Sequence, residues 1–166
     1  MTYATSAPPL TAPPLPVEPV RPLTAPGVCW VAAHGGAGVS TLAKMLGGTD
    51  VGCSWPDATR DDPARVLLVA RTDAQGLRAA ARSLNAVHED RYPAGMALIG
   101  LVLVADLPGR LPLELRSRIR LLRSKVPVWR VPWVPAWRLG RQVDRLPRQL
   151  VKLGRVVLAA QQGGGR

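Results

Sequence analysis

Short, wholly apolar runs alternate along this chain with polar stretches of helical period. Val28-Cys29-Trp30-Val31-Ala32-Ala33 is apolar throughout and stops at a glycine-rich turn, the pattern of a strand buried on both faces. Val66-Leu67-Leu68-Val69-Ala70 and residues 98–104 repeat it, and residues 128–131 give a shorter fourth run. The segments between read as helices. Residues 40–46 end at Gly47-Gly48; Asp73 precedes an Ala- and Leu-rich stretch reaching residue 87, with apolar residues three and four apart; residues 111–124 are helix-like. Residues 52–63 have no period and are expected to be a loop. A last helix is expected over residues 137–159, kinked at Pro147. Such alternation predicts an α/β domain, a small parallel sheet of four strands covered by helices on both faces.

The ends break the pattern. Residues 1–27 hold 8 of the 17 prolines, which remove backbone donors and force their neighbours extended, so a disordered or polyproline-like arm is expected there. The domain is expected over 28–160, and a flexible tail over 161–166. With 166 residues, 47% of them apolar, the chain can build one core, but 4% aromatics and no Phe leave that core to aliphatic side chains. The longest apolar run, residues 96–105, is half of what a bilayer requires. No basic segment followed by an apolar stretch opens the chain, and two Cys cannot make a disulfide framework, so a cytoplasmic protein is expected. Cys29, Cys53, His34 and His88 fall at no metal-ligand spacing.

Charge divides the chain. Residues 1–109 carry 8 Lys and Arg against 9 Asp and Glu, a net of −1, while residues 110–166 carry 14 against 2, a net of +12. A one-sided field of that size suits nucleic acid or another polyanion, suits an anionic surface, or serves solubility alone. In the expected last helix, Arg138, Arg141, Arg145, Arg148, Lys152 and Arg155 recur three and four apart opposite an apolar stripe of Leu139, Val143, Leu146, Leu150, Leu153 and Val157. These six cations are the candidate nucleic-acid contacts, with Arg116, Arg118, Arg120 and Arg123 next. Trp129, Trp133 and Trp137 either cover the open end of the sheet or form a stacking surface.

The turn after the first strand is Ala33-His34-Gly35-Gly36-Ala37-Gly38-Val39-Ser40-Thr41. Glycines let a backbone approach a phosphate, and the helix that follows adds its positive dipole. This loop resembles the deviant P-loop of the ParA/MinD group of partitioning ATPases, KGGxGK(S/T). The resemblance sets Gly35, Gly36 and Gly38 at the three glycine positions, Ser40 at the hydroxyl that holds magnesium, and Thr41 at the hydroxyl after it. It implies a P-loop NTPase-like three-layer domain taking ATP with magnesium along Gly35, Gly36, Ala37, Gly38, Val39, Ser40 and Thr41, with base contacts near Trp133. The strand ending Arg71-Thr72-Asp73, the run Ile99-Gly100-Leu101-Val102-Leu103-Val104 and the segment Trp129-Arg130-Val131-Pro132-Trp133 are similar to later strands of that group. The chain also resembles small Trp- and Arg-rich proteins of actinobacteria with a lysine-free loop, some beside mobile elements.

Three departures shape the functional expectation. The opening glycine is Ala33, the signature lysine is His34, and the lysine of the β- and γ-phosphates is Val39. Each lost cation forfeits roughly 1.5–3 kcal/mol of charge-assisted hydrogen bonding. It also removes stabilisation from a phosphoryl-transfer transition state that depends on electrostatics. Residues 47–64 are too few for the group's second strand and Asp-bearing strand end; Asp50, Asp57, Asp61 and Asp62 fall in loop-like sequence. The resemblance therefore implies a non-hydrolysing, nucleotide-binding-like accessory protein, linked to DNA maintenance or transfer. The alternative is a nucleic-acid or protein-binding module with no nucleotide, acting through the basic helix.

Overall fold

The computed structural model describes residues 20–141, 143 and 145–162. Five parallel strands, β1 (Ala25–Ala32), β2 (Thr49–Asp50), β3 (Pro63–Arg71), β4 (Ala97–Val104) and β5 (Val128–Val131), form one sheet in the order β2-β1-β3-β4-β5. The helices are α1 (Val39–Leu46), α2 (Ala74–His88), α3 (Leu113–Arg123), α4 (Pro135–Arg138) and α5 (Arg148–Gln162). Alternation along the strands divides their side chains between two cores. Cys29, Val31, Val66, Leu68, Leu101 and Leu103 pack under α2 and α3. Val28, Trp30, Leu67, Val69, Val102 and Val104 pack under α1 and α5 on the other face. This is the three-layer α/β architecture expected from runs too apolar for a half-exposed sheet.

Several expectations are corrected. The sheet has five strands, because Thr49–Asp50 pairs with Cys29 and Trp30 at its edge; two residues carry no periodicity to read. β1 begins at Ala25, where Gly27 at φ +111° and a register shift between Ala25 and Val28 form a bulge that tolerates Pro26. Residues 1–19 of the expected arm lie outside the described residues, but Leu23 is buried and its N–H donates to the Ala94 carbonyl at 2.8 Å. Residues 23–27, expected in the arm, thus belong to the packed domain.

The last helix is not continuous. α4 stops at Arg138, with Gly140 at φ +64° donating to the Trp137 carbonyl, and α5 starts only at Arg148. Pro147 does not kink a helix. It precedes α5, where its missing N–H is no loss, and its carbonyl accepts from Leu150 and Val151. Gln161 and Gln162, expected in the tail, are helical, and residues 163–166 lie outside the described residues.

Leu23 supplies a test of the revised boundary. Leu23→Ala should lower unfolding free energy by about 2–5 kcal/mol, the cost of emptying a buried leucine site. Urea denaturation measures it, and a loss under ~0.5 kcal/mol would return residue 23 to the arm.

Candidate functional site

Every strand of the sheet points its C-terminal end at one edge, the edge where open α/β sheets place their ligands. The glycine loop stands there between β1 and α1. Gly36 and Gly38 adopt φ +75° and +99°, a region costly for residues with a Cβ, so the turn itself requires them. Gly35 is different. Its φ is not positive, and a Cβ added there would meet nothing within 4 Å. Neither backbone geometry nor packing calls for glycine at this position. Its missing side chain leaves the space over the loop backbone open. Gly38 caps α1 without a side-chain hydrogen bond, and no acid stands in the first turn. Ala37 and Val39 turn inward, 1% and 5% exposed, into the core with Leu42 and Val104. Valine at position 39 therefore serves the core and brings no charge to the loop.

Ser40 and Thr41 are exposed at the start of α1. The Ser40 hydroxyl donates to Asp50 Oδ2 at 2.6 Å, and Asp50 Oδ1 accepts from the Gly52 N–H at 2.9 Å. Of the four acids in residues 50–62, Asp50 is the one bonded to the loop, brought there by β2. Asp57 and Asp62 are spent on a 3-10 turn at Ala58–Arg60. There Asp62 accepts from the Asp57 N–H and ion-pairs with Arg60, while hydrogen bonds from Thr59 lower the Asp57 carboxyl below its usual range. Among the described residues no group of three His, Cys, Asp or Glu could hold a metal. A divalent ion at Ser40 and Asp50 would take most of its shell from phosphate oxygens and water.

The end of β3 supplies a cation that no motif announces. Arg71 Nε–H donates to the Gly36 carbonyl and Nη1–H to the Ala105 carbonyl, both at 3.1 Å, so the guanidinium bridges the loop and the end of β4. The Arg71 backbone N–H donates to His34 Nε2 at 3.1 Å, and His34 Nδ1 lies 2.9 Å from the Gly35 carbonyl. These partners assign the neutral tautomer with its proton on Nδ1. His34 is thus turned onto its own loop and β3. Thr72, fully buried, donates to Asp106 Oδ1 at 2.5 Å and pins β3 to the residues after β4.

Of these residues, Gly38, Thr41, Arg71 and Asp106 line a cleft of about 480 Å³, together with Asp73 and Trp133. A second hollow of about 490 Å³ is lined by Ser40, Thr41, Lys44 and Arg141. Thr41 and Trp137 line both, so the hollows adjoin along α1. Trp129 and Trp137 also pack partly against the core under α5.

The six cations expected on one helix are separated. Arg141 lines the second hollow, Arg145 lies exposed between α4 and α5, and Arg138 ends α4. Arg148, Lys152 and Arg155 remain together, exposed on α5 opposite buried Leu150, Leu153 and Val157. Among the described residues no helix is long and apolar enough to cross a membrane.

Cys29 is no nucleophile. Burial, aided by the charge of Asp62 and opposed by Arg60, pushes its thiol up to about 12. Iodoacetamide at pH 8 should label exposed Cys53 in the native protein and reach Cys29 only after denaturation, as peptide mass mapping would reveal. Native labelling of Cys29 would contradict the packing of β1.

Residues 27–158 match a family of unknown function, DUF6668. No curated protein matches the chain. The solved structure of Cyanthece apo McdA is similar with a TM-score of 0.42 and 17% identity, over 78% of this chain and 57% of that one. The chain therefore spans less than two thirds of that protein's length.

Proposed function

The chain belongs to the DUF6668 family, whose function is unknown, and we propose from the loop that it binds the phosphate chain of a nucleotide, with magnesium, without hydrolysing it. In this reading the domain is P-loop NTPase-like, and the loop is a phosphate cradle that has lost its lysines. Gly35 is the observation that carries it: a glycine whose Cβ would meet open space, at a position where folding tolerates a side chain. Backbone N–H groups of Gly35, Gly36, Ala37, Gly38, Val39, Ser40 and Thr41 supply the phosphate contacts, favoured by the uncapped start of α1. Ser40 and Asp50, now bonded to each other, are suited to hold magnesium. The ion supplies charge neutralisation between phosphate oxygens. Arg71 adds positive charge at the rim, while Lys44 and Arg141 add it in the adjoining hollow.

Hydrolysis needs more than binding. Valine occupies the place of the transition-state lysine, and two of the Arg71 nitrogens are already engaged by carbonyls. The test is a thermal-shift series with ATP, ADP and GTP, with and without magnesium. A nucleotide at 100 times its Kd should stabilise the protein by about 2.7 kcal/mol, and EDTA should reduce that gain. No shift with any of them at millimolar concentration would dismiss the reading.

The exposed cations of α5 favour a second activity, polyanion binding by a cytoplasmic accessory factor in DNA maintenance or transfer. Arg148, Lys152 and Arg155 fall at i, i+4 and i+7, within one face of the helix. Replacing all three by Gln keeps the buried face and should lower the slope of log K against log salt by about 2.7, or ~0.9 per phosphate contact. Duplex DNA titrations at several salt concentrations measure it. An unchanged slope would remove α5 from the interface.

A further inference from the structure

We propose that the groove between α2 and α3 is a docking site for an acidic amphipathic helix of a protein partner. The groove has a volume of about 360 Å³, a floor of Leu77 and Leu122, and Arg78, Arg118 and Lys125 around its rim. Leu121 lines it while 67% exposed, a large apolar side chain left in water. No carboxylate lines the groove. The two helices together carry six Arg and one Glu: Arg78 and Arg82 on α2, then Glu114, Arg116, Arg118, Arg120 and Arg123 on α3. Among the described residues the ion pairs are made by Arg60 and Arg91, and none by Arg78, Arg118 or Lys125. Among the described residues, the rim cations are unpaired.

This chemistry specifies the occupant. An apolar floor between two helices takes apolar side chains spaced three and four apart on a third helix. Unpaired cations on both walls favour carboxylates along the flanks of that helix, raising its on-rate and rejecting basic competitors. A nucleic-acid backbone could meet the arginines, but it has no side chains to cover Leu121 and the leucine floor. The groove lies on the α2–α3 face of the sheet, away from the α1 hollow and from α5. The proposal is therefore independent of the nucleotide reading.

The probe is a synthetic helical peptide with Leu at i, i+3, i+4 and i+7 and Glu on both flanks, compared with the same peptide carrying Lys. Fluorescence anisotropy gives affinities, and amide chemical shifts of the full-length protein locate the site. The Glu peptide should bind at least about tenfold more tightly than the Lys peptide, with shifts concentrated at residues 77–81 and 118–125. The R78E/R118E/K125E variant should reverse that preference. Leu121→Ser, at an exposed position that folding does not need, should weaken the Glu peptide without altering thermal stability. Equal affinity for both peptides, an unaltered preference in the charge-reversed variant, or shifts confined to α5 would overturn the proposal. Displacement of the peptide from residues 118–125 by duplex DNA would reassign the surface to nucleic acid.

Discussion

Gly35→Ala is expected to leave ligand-free stability within about 0.5 kcal/mol of the parent and to abolish stabilisation by magnesium nucleotide. The first half follows from the structure, since the new Cβ meets nothing within 4 Å and the backbone does not require glycine. The second half follows from the proposal. A methyl group standing over the loop occupies space that a phosphate must enter to reach the amides. The lost gain is about 2.7 kcal/mol at 100 times the Kd, larger than any effect expected from a surface alanine. Gly36→Ala is a poorer test, because φ +75° makes the fold bear roughly 1–2 kcal/mol of strain as well. Differential scanning fluorimetry of parent and variant, each with and without ATP and magnesium, gives both halves in one experiment. A variant that keeps its nucleotide shift would place the ligand elsewhere or nowhere.

A large effect on folding is expected at Gly100. Here the chain entering β5 runs so close beside β4 that a Cβ would lie 2.5 Å from the Pro127 carbonyl oxygen and 2.6 Å from the Trp129 ring. The carbonyl cannot retreat, because it accepts the Leu101 N–H at 2.9 Å within the sheet. Gly100→Ala should therefore cost about 3 kcal/mol or more and pry β5 from the sheet. The segment carrying Pro132, Trp133 and Trp137 would move with it, removing one wall of the cleft. Urea unfolding measures the loss. A cost below ~1 kcal/mol would mean that the two strands are not in such close contact.

Long apolar runs declared β3 and β4 in the sequence, because a strand buried on both faces has no polar position to hide it. Asp73 likewise announced α2, and its carboxylate does accept the Gly76 N–H at 2.7 Å. The misses have physical causes. Leu139, Val143 and Leu146 fall at helical spacing, but Gly140 in a left-handed turn and Pro147 without a donor override the pattern. These two residues distribute the six expected cations among α4, the segment between the helices and α5. β2 is too short to show a period, so Asp50, which it carries to Ser40, read as one loop acid among four. The remaining signal was local: an acid followed two residues later by Gly52, whose N–H its carboxylate accepts. Arg71 was legible as the end of a strand, but nothing in the sequence marked it as a contact of the loop. Its role arises because β1 and β3 are neighbours in the sheet, which sets the end of one strand beside the loop that follows the other.

The central claim is binding without turnover, and one sample can examine both. Purified full-length protein is titrated with radiolabelled ATP and magnesium by equilibrium dialysis, and released phosphate is counted in the same chambers. The account predicts saturable binding of one nucleotide per chain, weakened by Ser40→Ala and by Asp50→Asn, with phosphate release no faster than in buffer. Absence of saturable binding, or steady turnover that Ser40→Ala abolishes, would contradict it.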